Sequence, residues 1–397
     1  MTDTLATQHR HINEQIVARA HALRSVLEEN VATGEELRRS PDVVNDALER
    51  NGMFRLFTPT CFGGYAVGVT TAIEVVAALA EGDASASWMI GIAAVGSWIA
   101  AQSSPQLQDE IFASNPDARL AGSLTPVPAQ RVKGGWRVTG SWTFASGAHH
   151  AEWALLSLSV VGGRGADEEI LLCFVPAREV TLQRSWYTVG MRATGSDSWV
   201  AEDVFVPDYR TMSVRQLIMG TQTTRHDEPI FRVPLAPAAP LFGLGTLLGT
   251  GKAALDFVAA RARTKPLHNT CFARQSDSAG VRIQVGEAAV KIATARLHAY
   301  DIANALDEAA ADNRPISYAD RAAWKARCGY AAQQIVEALN MLLNVHGASS
   351  FAESNRLQQY WRDANTLARH STMQMVVGYE VFGESLLGVD KRITTHV

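Results

Sequence analysis

The side chains best able to carry chemistry in this 397-residue chain are a few histidines, a glycine run and some hydroxyls. His370 stands in Trp361-Arg-Asp-Ala-Asn-Thr-Leu-Ala-Arg-His-Ser-Thr-Met-Gln-Met375. Three- and four-residue spacing predicts a helical face shared with Leu367, Met373 or Gln374, and Val377. An imidazole there is a candidate acid or base, although on an apolar face it is more often a satisfied core histidine. His149-His150 with Glu152 has the residue types of a metal site. Adjacent strand side chains point to opposite faces, however, and no HExxH spacing occurs, so loop and edge histidines are expected and no metal is predicted. Gly243-Leu-Gly245-Thr-Leu-Leu-Gly249 follows a proline-rich segment with GxGxxxG spacing, which fits close helix packing better than a dinucleotide loop. A nicotinamide cofactor therefore has no evident place, and no GxSxG nucleophile elbow occurs.

The chain is long enough for two or three subdomains sharing a large core. Its formal charge of −4 gives no electrostatic reason to expect nucleic acid or an anionic membrane as partner. Cys61, Cys173, Cys271 and Cys328 are scattered, which predicts free thiols in a reducing cytoplasm. His9, Arg10, His11 and Glu14 leave no room for an apolar signal-peptide core. The apolar stretch Trp88 to Ala101 is too short to span a bilayer and predicts a buried helix.

Apolar steps at Ile16, Ala20, Leu23 and Leu27 predict helices over the first third, with Ser40-Pro41 opening one of them. Near Leu120 the pattern changes to short β-branched and aromatic runs, punctuated by Gly134-Gly135, Gly162-Gly163 and Pro176. A loop rich in proline (Pro229, Pro234, Pro237, Pro240) is expected to lead to helices from Leu241 onward. The predicted class is α+β, with a helical domain at 1–118, a β-domain at 119–211 and a helical domain at 212–397.

Several motifs, taken in order, carry a resemblance over nearly the whole chain. They are Gly52-Met-Phe-Arg-Leu-Phe-Thr-Pro59 with Phe62-Gly-Gly64, Gly122-Ser-Leu-Thr125, and Gly140-Ser-Trp-Thr-Phe-Ala-Ser-Gly147. Gly190-Met-Arg-Ala-Thr-Gly-Ser196, Val206-Pro207 and Arg261-Ala-Arg263 complete the set. Together they resemble the acyl-CoA dehydrogenase fold, which implies a helical N-terminal domain, a β-barrel-like middle domain and a C-terminal four-helix bundle. Dehydrogenases of this fold commonly carry a catalytic glutamate beyond a late Arg-Asp pair; here Arg362-Asp363 is followed by Arg369-His-Ser-Thr372, with no acid at that place. Trp142, Ser146-Gly147 and His370 are instead similar to the two-component (group D) flavin-dependent monooxygenases, of the indole or phenol type.

That resemblance implies an oxygenase fed with reduced flavin (FADH2 or FMNH2) by a separate NAD(P)H-flavin reductase. It further implies a C4a-hydroperoxyflavin that oxygenates a small aromatic substrate, and a homotetramer built on the C-terminal helices. Ser146 and His370 are the implied catalytic pair. Ser123, Thr125 and Trp142 would position the flavin ring, and Arg263 would reach a neighbouring subunit's flavin phosphate. Trp88, Gly96 and Trp98 would line the substrate pocket. Phenol hydroxylases of the group often have a histidine near the place of Gly96; its absence favours an indole-like ring over a phenol, and Gly96 is expected to leave room for it. An acyl-CoA dehydrogenase-like oxidoreductase and a non-catalytic flavin-binding module are the alternatives.

Overall fold

The computed structural model of the chain describes residues 2–161, 168–219, 224–389, 393–394 and 397; the Gly162-Gly163 turn lies outside them. Helices α1 (Thr2–Ala22), α2 (Arg24–Leu37), α3 (Asp42–Arg50), α4 (Val69–Ala80), α5 (Ala84–Ala100) and α6 (Pro105–Phe112) come first. α5 has no charged side chain and is buried along its length except at Ile92 and Val95. Asp83 closes its start by accepting from the Ser85 N–H at 3.0 Å, a cap worth about 1 kcal/mol. Ser104 does the same for α6, with Pro105 in the first turn. The predicted Ser40 cap does not form. Pro41 takes the cap position of α3, and the Ser40 carbonyl accepts instead from His150 at 2.9 Å.

Strands β1 (Leu120–Val132), β2 (Gly135–Trp142), β3 (Trp153–Val161), β4 (Glu168–Pro176), β5 (Thr181–Gln183), β6 (Ser198–Pro207) and β7 (Thr211–Ser213) follow. They run in the order β5-β6-β2-β1-β3-β4-β7. All pairs are antiparallel except β1–β3, and β5 and β7 remain edges among the described residues, so the layer is open. β1 pairs with β3 up to Ser123 and again from Val127, and joins β2 only from Ala129. The intervening Leu124, Thr125 and Pro126 are exposed and off the ladder. A separate small core fills the layer around Trp142, Leu156, Leu158 and Trp199.

The closing helices are α7 (Val214–Met219), α8 (Leu235–Ala262), α9 (Ala279–Ala311), α10 (Tyr318–His346), α11 (Arg356–Leu367) and α12 (Met375–Leu387). α8 starts upstream of the expected Leu241; Pro237 falls in its first turn, where N–H groups have no helical partner, while Pro240 lies inside the helix and gives up one helical hydrogen bond. The glycine run lies inside α8. A Cβ at Gly245 would stand 2.6 Å from Val76, and one at Gly249 2.0 Å from the Ala77 carbonyl oxygen, so these glycines let α8 press onto α4. α8 is long and apolar enough to cross a membrane, yet 78% of its apolar window is buried within the protein. α8, α9 and α10 pack against one another, α12 lies along α10, and α11 returns beside α5 and α8.

Candidate active site

The site is built around Trp88 on the first half of α5. Its ring is buried and its Nε1–H donates to Ser146 Oγ at 3.1 Å. Ser146 sits where β2 turns into a short 3-10 segment, Ala148–His150, and Gly147 (φ +80°) supplies the left-handed step that turn requires. Phe144 is also left-handed (φ +65°) and 66% exposed, a strained placement of a large apolar ring beside the serine. Two main-chain bonds stitch this loop to the one preceding β6: Ala145 N–H to Asp197 O (3.1 Å) and Gly147 N–H to Thr194 O (2.9 Å). As a result Ser146 Oγ lies 2.7 Å from Ser196 Oγ, which lies 2.7 Å from Thr194 Oγ1, and the threonine donates to the Met191 carbonyl at 2.8 Å.

The neighbouring histidines brace this arrangement. His149 Nε2 meets Asp197 Oδ2 at 2.6 Å. Asp197 also accepts from the Ser185 and Trp186 N–H groups. Burial alone would raise its pKa, but the Ser185, His149 and Trp186 hydrogen bonds outweigh it and hold the carboxyl below its usual range.

His370 is not on a helix face as predicted. α11 stops at Leu367, and His370 instead caps a 3-10 turn, Ser371–Met373. Its Nδ1 accepts from the Thr372 N–H (3.4 Å) and lies 2.9 Å from Thr372 Oγ1, so the neutral ring carries its proton on Nε2. The ring stands edge-on to Trp88, with centroids 5.1 Å apart. One edge is open to solvent, yet the surrounding protein desolvates the imidazole and presses its pKa below the usual value. Gly243 makes room here: a Cβ would lie 2.6 Å from Met373 Cε and 3.4 Å from Trp88 Cζ3.

Asp363 was not singled out from the sequence, and neither were the hydroxyls of Ser196 and Thr194. Asp363 is fully buried and accepts from the Met191 N–H at 2.5 Å, hanging the Met191–Ser196 turn from α11. Burial first, and the nearby Glu35 carboxylate second, push its pKa up to about 7. Arg362 bonds the Val189 carbonyl and pairs with Glu35 at 2.8 Å, fixing the same junction. The available signal was the small polar Thr-Gly-Ser inside a left-handed turn, together with the late Arg-Asp pair.

The structure brings Trp88, Ser146 and His370 together and separates several other candidates. Trp142 is wholly buried in the β-core and its N–H is committed to the Ser157 carbonyl at 2.8 Å, so it supports the layer from within and cannot touch a ring on its surface. Gly96 leaves no vacant room, because a Cβ there would sit 2.8 Å from Leu120 Cβ; the glycine is needed for α5 to meet β1. Trp98 donates to the Ile230 carbonyl (2.9 Å) and lines a closed apolar pocket of about 10 Å³, too small for an aromatic guest. Ser123 is buried with Oγ toward the Thr125 N–H (3.4 Å), and Thr125 is exposed on the unpaired stretch of β1. Arg263 is exposed just past α8, a rise of roughly 30 Å along that helix from Gly243. A larger cleft of about 1160 Å³, bordered by Thr60, Asp109, His226 and Asp307, includes none of these site residues.

The residues around Ser146 have the chemistry to hold a flat amphipathic ring. Phe144, edge-on to Trp186 at 6.0 Å, offers apolar surface, while the half-buried Ser146 hydroxyl offers a hydrogen bond to a polar edge. Comparison with known proteins places the fold and the family. Residues 244–375 match the acyl-CoA dehydrogenase, C-terminal domain family, which defines the fold class. The chain is 34% identical to XiaF from Streptomyces sp., whose structure in complex with FADH2 and glycerol aligns with a TM-score of 0.92 over 98% of this chain and 99% of that one. It is 28% identical to the flavin-dependent monooxygenase oxygenase subunit HsaA of Rhodococcus jostii, covering 94% and 98% of the two chains. It is equally similar, at 28%, to the FADH2-dependent resorcinol hydroxylase oxygenase component of a Rhizobium species, covering 95% of each. The chain belongs to the flavin-dependent aromatic monooxygenases of the acyl-CoA dehydrogenase fold, as an oxygenase component of a two-component system that uses reduced flavin and O2.

Proposed function

We propose that the protein oxygenates a small electron-rich aromatic, indole-like before phenolic, by way of a C4a-hydroperoxyflavin. The observation that carries this reading is the convergence of Ser146 and His370 on Trp88 from three distant segments, each held by a defined partner. The bound flavin supplies the electrophilic oxygen, and the residues supply shelter and hydrogen bonds. Ser146 would meet the N5–C4a edge. His370, neutral and protonated on Nε2, would donate to the reacting oxygen or pass a proton. Ser123 and Thr125 would help to position the ring. Trp88 closes the inner wall against water, which is what a reactive oxygen donor needs to survive.

Among the described residues, no carboxylate or second imidazole bonds to Trp88, Ser146 or His370, so a phenol would find little help in losing its proton. An indole-like ring needs none. The phenolic reading draws support from the resorcinol hydroxylase relative. Arg263 serves a neighbouring subunit's flavin phosphate in a homotetramer. Exposed Ile283, Val290 and Leu297, seven residues apart along α9, support a helix-to-helix contact of that kind. Free cysteines suit a reducing cytoplasm, where an NAD(P)H-flavin reductase delivers the cofactor.

Stopped-flow mixing of the protein with reduced flavin, O2 and either indole or a phenol panel tests the reading. A persistent C4a-adduct absorbance followed by hydroxylated or epoxidised product is expected, with indole ahead. Quantitative peroxide release with every ring recovered intact would overturn it.

A further inference from the structure

The hydroxyl chain behind Ser146 has a direction that its two ends impose. Trp88 Nε1–H can only donate, and the Met191 carbonyl can only accept. Between them lie three hydroxyls, Ser146, Ser196 and Thr194, joined by contacts of 2.7 Å each. Trp88 and the hydroxyls bring one proton each, and the chain has one contact for each proton. Only one assignment fills every contact: Trp88 to Ser146, Ser146 to Ser196, Ser196 to Thr194, Thr194 to Met191. Reversing any member leaves one short oxygen–oxygen contact without a proton, inside a region where Ser196 and Thr194 are both buried.

The consequence falls on Ser146, which is half-buried and so partly open to a ligand. Its proton is spent on Ser196 and one lone pair on Trp88, so what remains on its open side is an acceptor. A reduced isoalloxazine carries hydrogen on N5 and is a donor there; an oxidised one presents a bare N5 lone pair. We infer that Ser196 and Thr194 are positioning residues that lock Ser146 as an acceptor, so that the cleft favours reduced over oxidised flavin. This rests on the reading above that the N5 edge lies at Ser146. Oxidised flavin meets a lone pair with a lone pair, unless the chain gives up one hydrogen bond to turn the Ser146 proton outward. Asp363, by holding the Met191 N–H, fixes the accepting end of the chain in place.

Anaerobic titration with photoreduced and with oxidised FAD and FMN, read by fluorescence or calorimetry, tests this in the full-length protein. The chain's share of the preference for the reduced form is expected at roughly five- to tenfold, the worth of one hydrogen bond. It appears as a rise of about 20–30 mV in the midpoint potential of the bound flavin. Ser196→Ala frees the Ser146 proton, so the ratio narrows because oxidised flavin binds more tightly. Thr194→Val does the same from the other side, letting Ser196 turn toward Ser146, and guards against one variant failing to fold. Ser146→Ala also closes the gap, but by weakening the reduced form. If Ser196→Ala and Thr194→Val keep the wild-type ratio while Ser146→Ala loses it, the chain does not set the direction and the inference falls. Should Ser146→Ala leave both affinities unchanged, N5 is not at Ser146, and the site reading fails together with the inference.

Discussion

Trp88 and Trp98 occupy one helix, about three turns apart, and both bury their rings and donate their indole N–H. Only the acceptors differ. Trp98 ends on the Ile230 main-chain carbonyl in a closed apolar packing, a contact that fixes the loop before α8 and nothing further. Trp88 ends on a half-buried hydroxyl and has a histidine against its ring. Function therefore resides in what the partner can still do once bonded. The carbonyl that receives Trp98 belongs to a buried residue, whereas the serine that receives Trp88 is partly open.

The contrast can be broken most sharply at His370. His370→Ala should lower coupled oxygenation by about 10²-fold while peroxide release rises, with an unchanged circular dichroism spectrum. Unchanged coupling would remove the residue from the chemistry. Next in size is Gly96→Ala: forcing a methyl against Leu120 should cost about 1–3 kcal/mol in urea unfolding, without widening the substrate range. The two tryptophans give the direct comparison. Trp98→Phe should lose about 1 kcal/mol of stability, the worth of its bond to the Ile230 carbonyl, which keeps the Val233 N–H, and leave flavin affinity alone. Trp88→Phe should lower coupling several-fold, by roughly the worth of the lost hydrogen bond, because Ser146 loses its fixed donor. Equal activity losses in both variants would erase the distinction.

The remaining tests are in pH dependence. Asp363 has a folded pKa raised to about 7 from an ordinary 3.8, so its stabilising contribution is full below the unfolded value and is lost as pH rises through 7. Asp363→Asn keeps an acceptor for Met191 and should flatten that slope in urea titrations across this window. His370 has the opposite sign. Its depressed pKa means its contribution is present above about 6.5 and lost as pH falls through the lower folded value, a loss that His370→Ala should abolish.

The order of helices, strands and helices was legible because hydrophobic period and turn residues change near Leu120 and again near the α8 prolines. Ser146 and His370 were reachable through their motifs, and the structure brings both to Trp88. His370 leaves its helix for a local reason, the break after Leu367. At two other positions where the reading failed, the deciding partner is distant in sequence: Leu120 fills the space beside Gly96, and the Ser157 carbonyl claims Trp142. The chain Ser146–Ser196–Thr194 was invisible for the same reason: two loops from either side of β3–β5 meet only after the sheet forms.

The length of α8 has a consequence for handling the protein. Arg263 stands roughly 30 Å along that helix from the level of Trp88, and it has no ion-pair partner among the described residues. Any phosphate it grips through a neighbour ties cofactor retention to subunit association. Dilution would then shed flavin from chains that are still folded, and a concentrated stock and a dilute assay would hold different fractions of loaded enzyme.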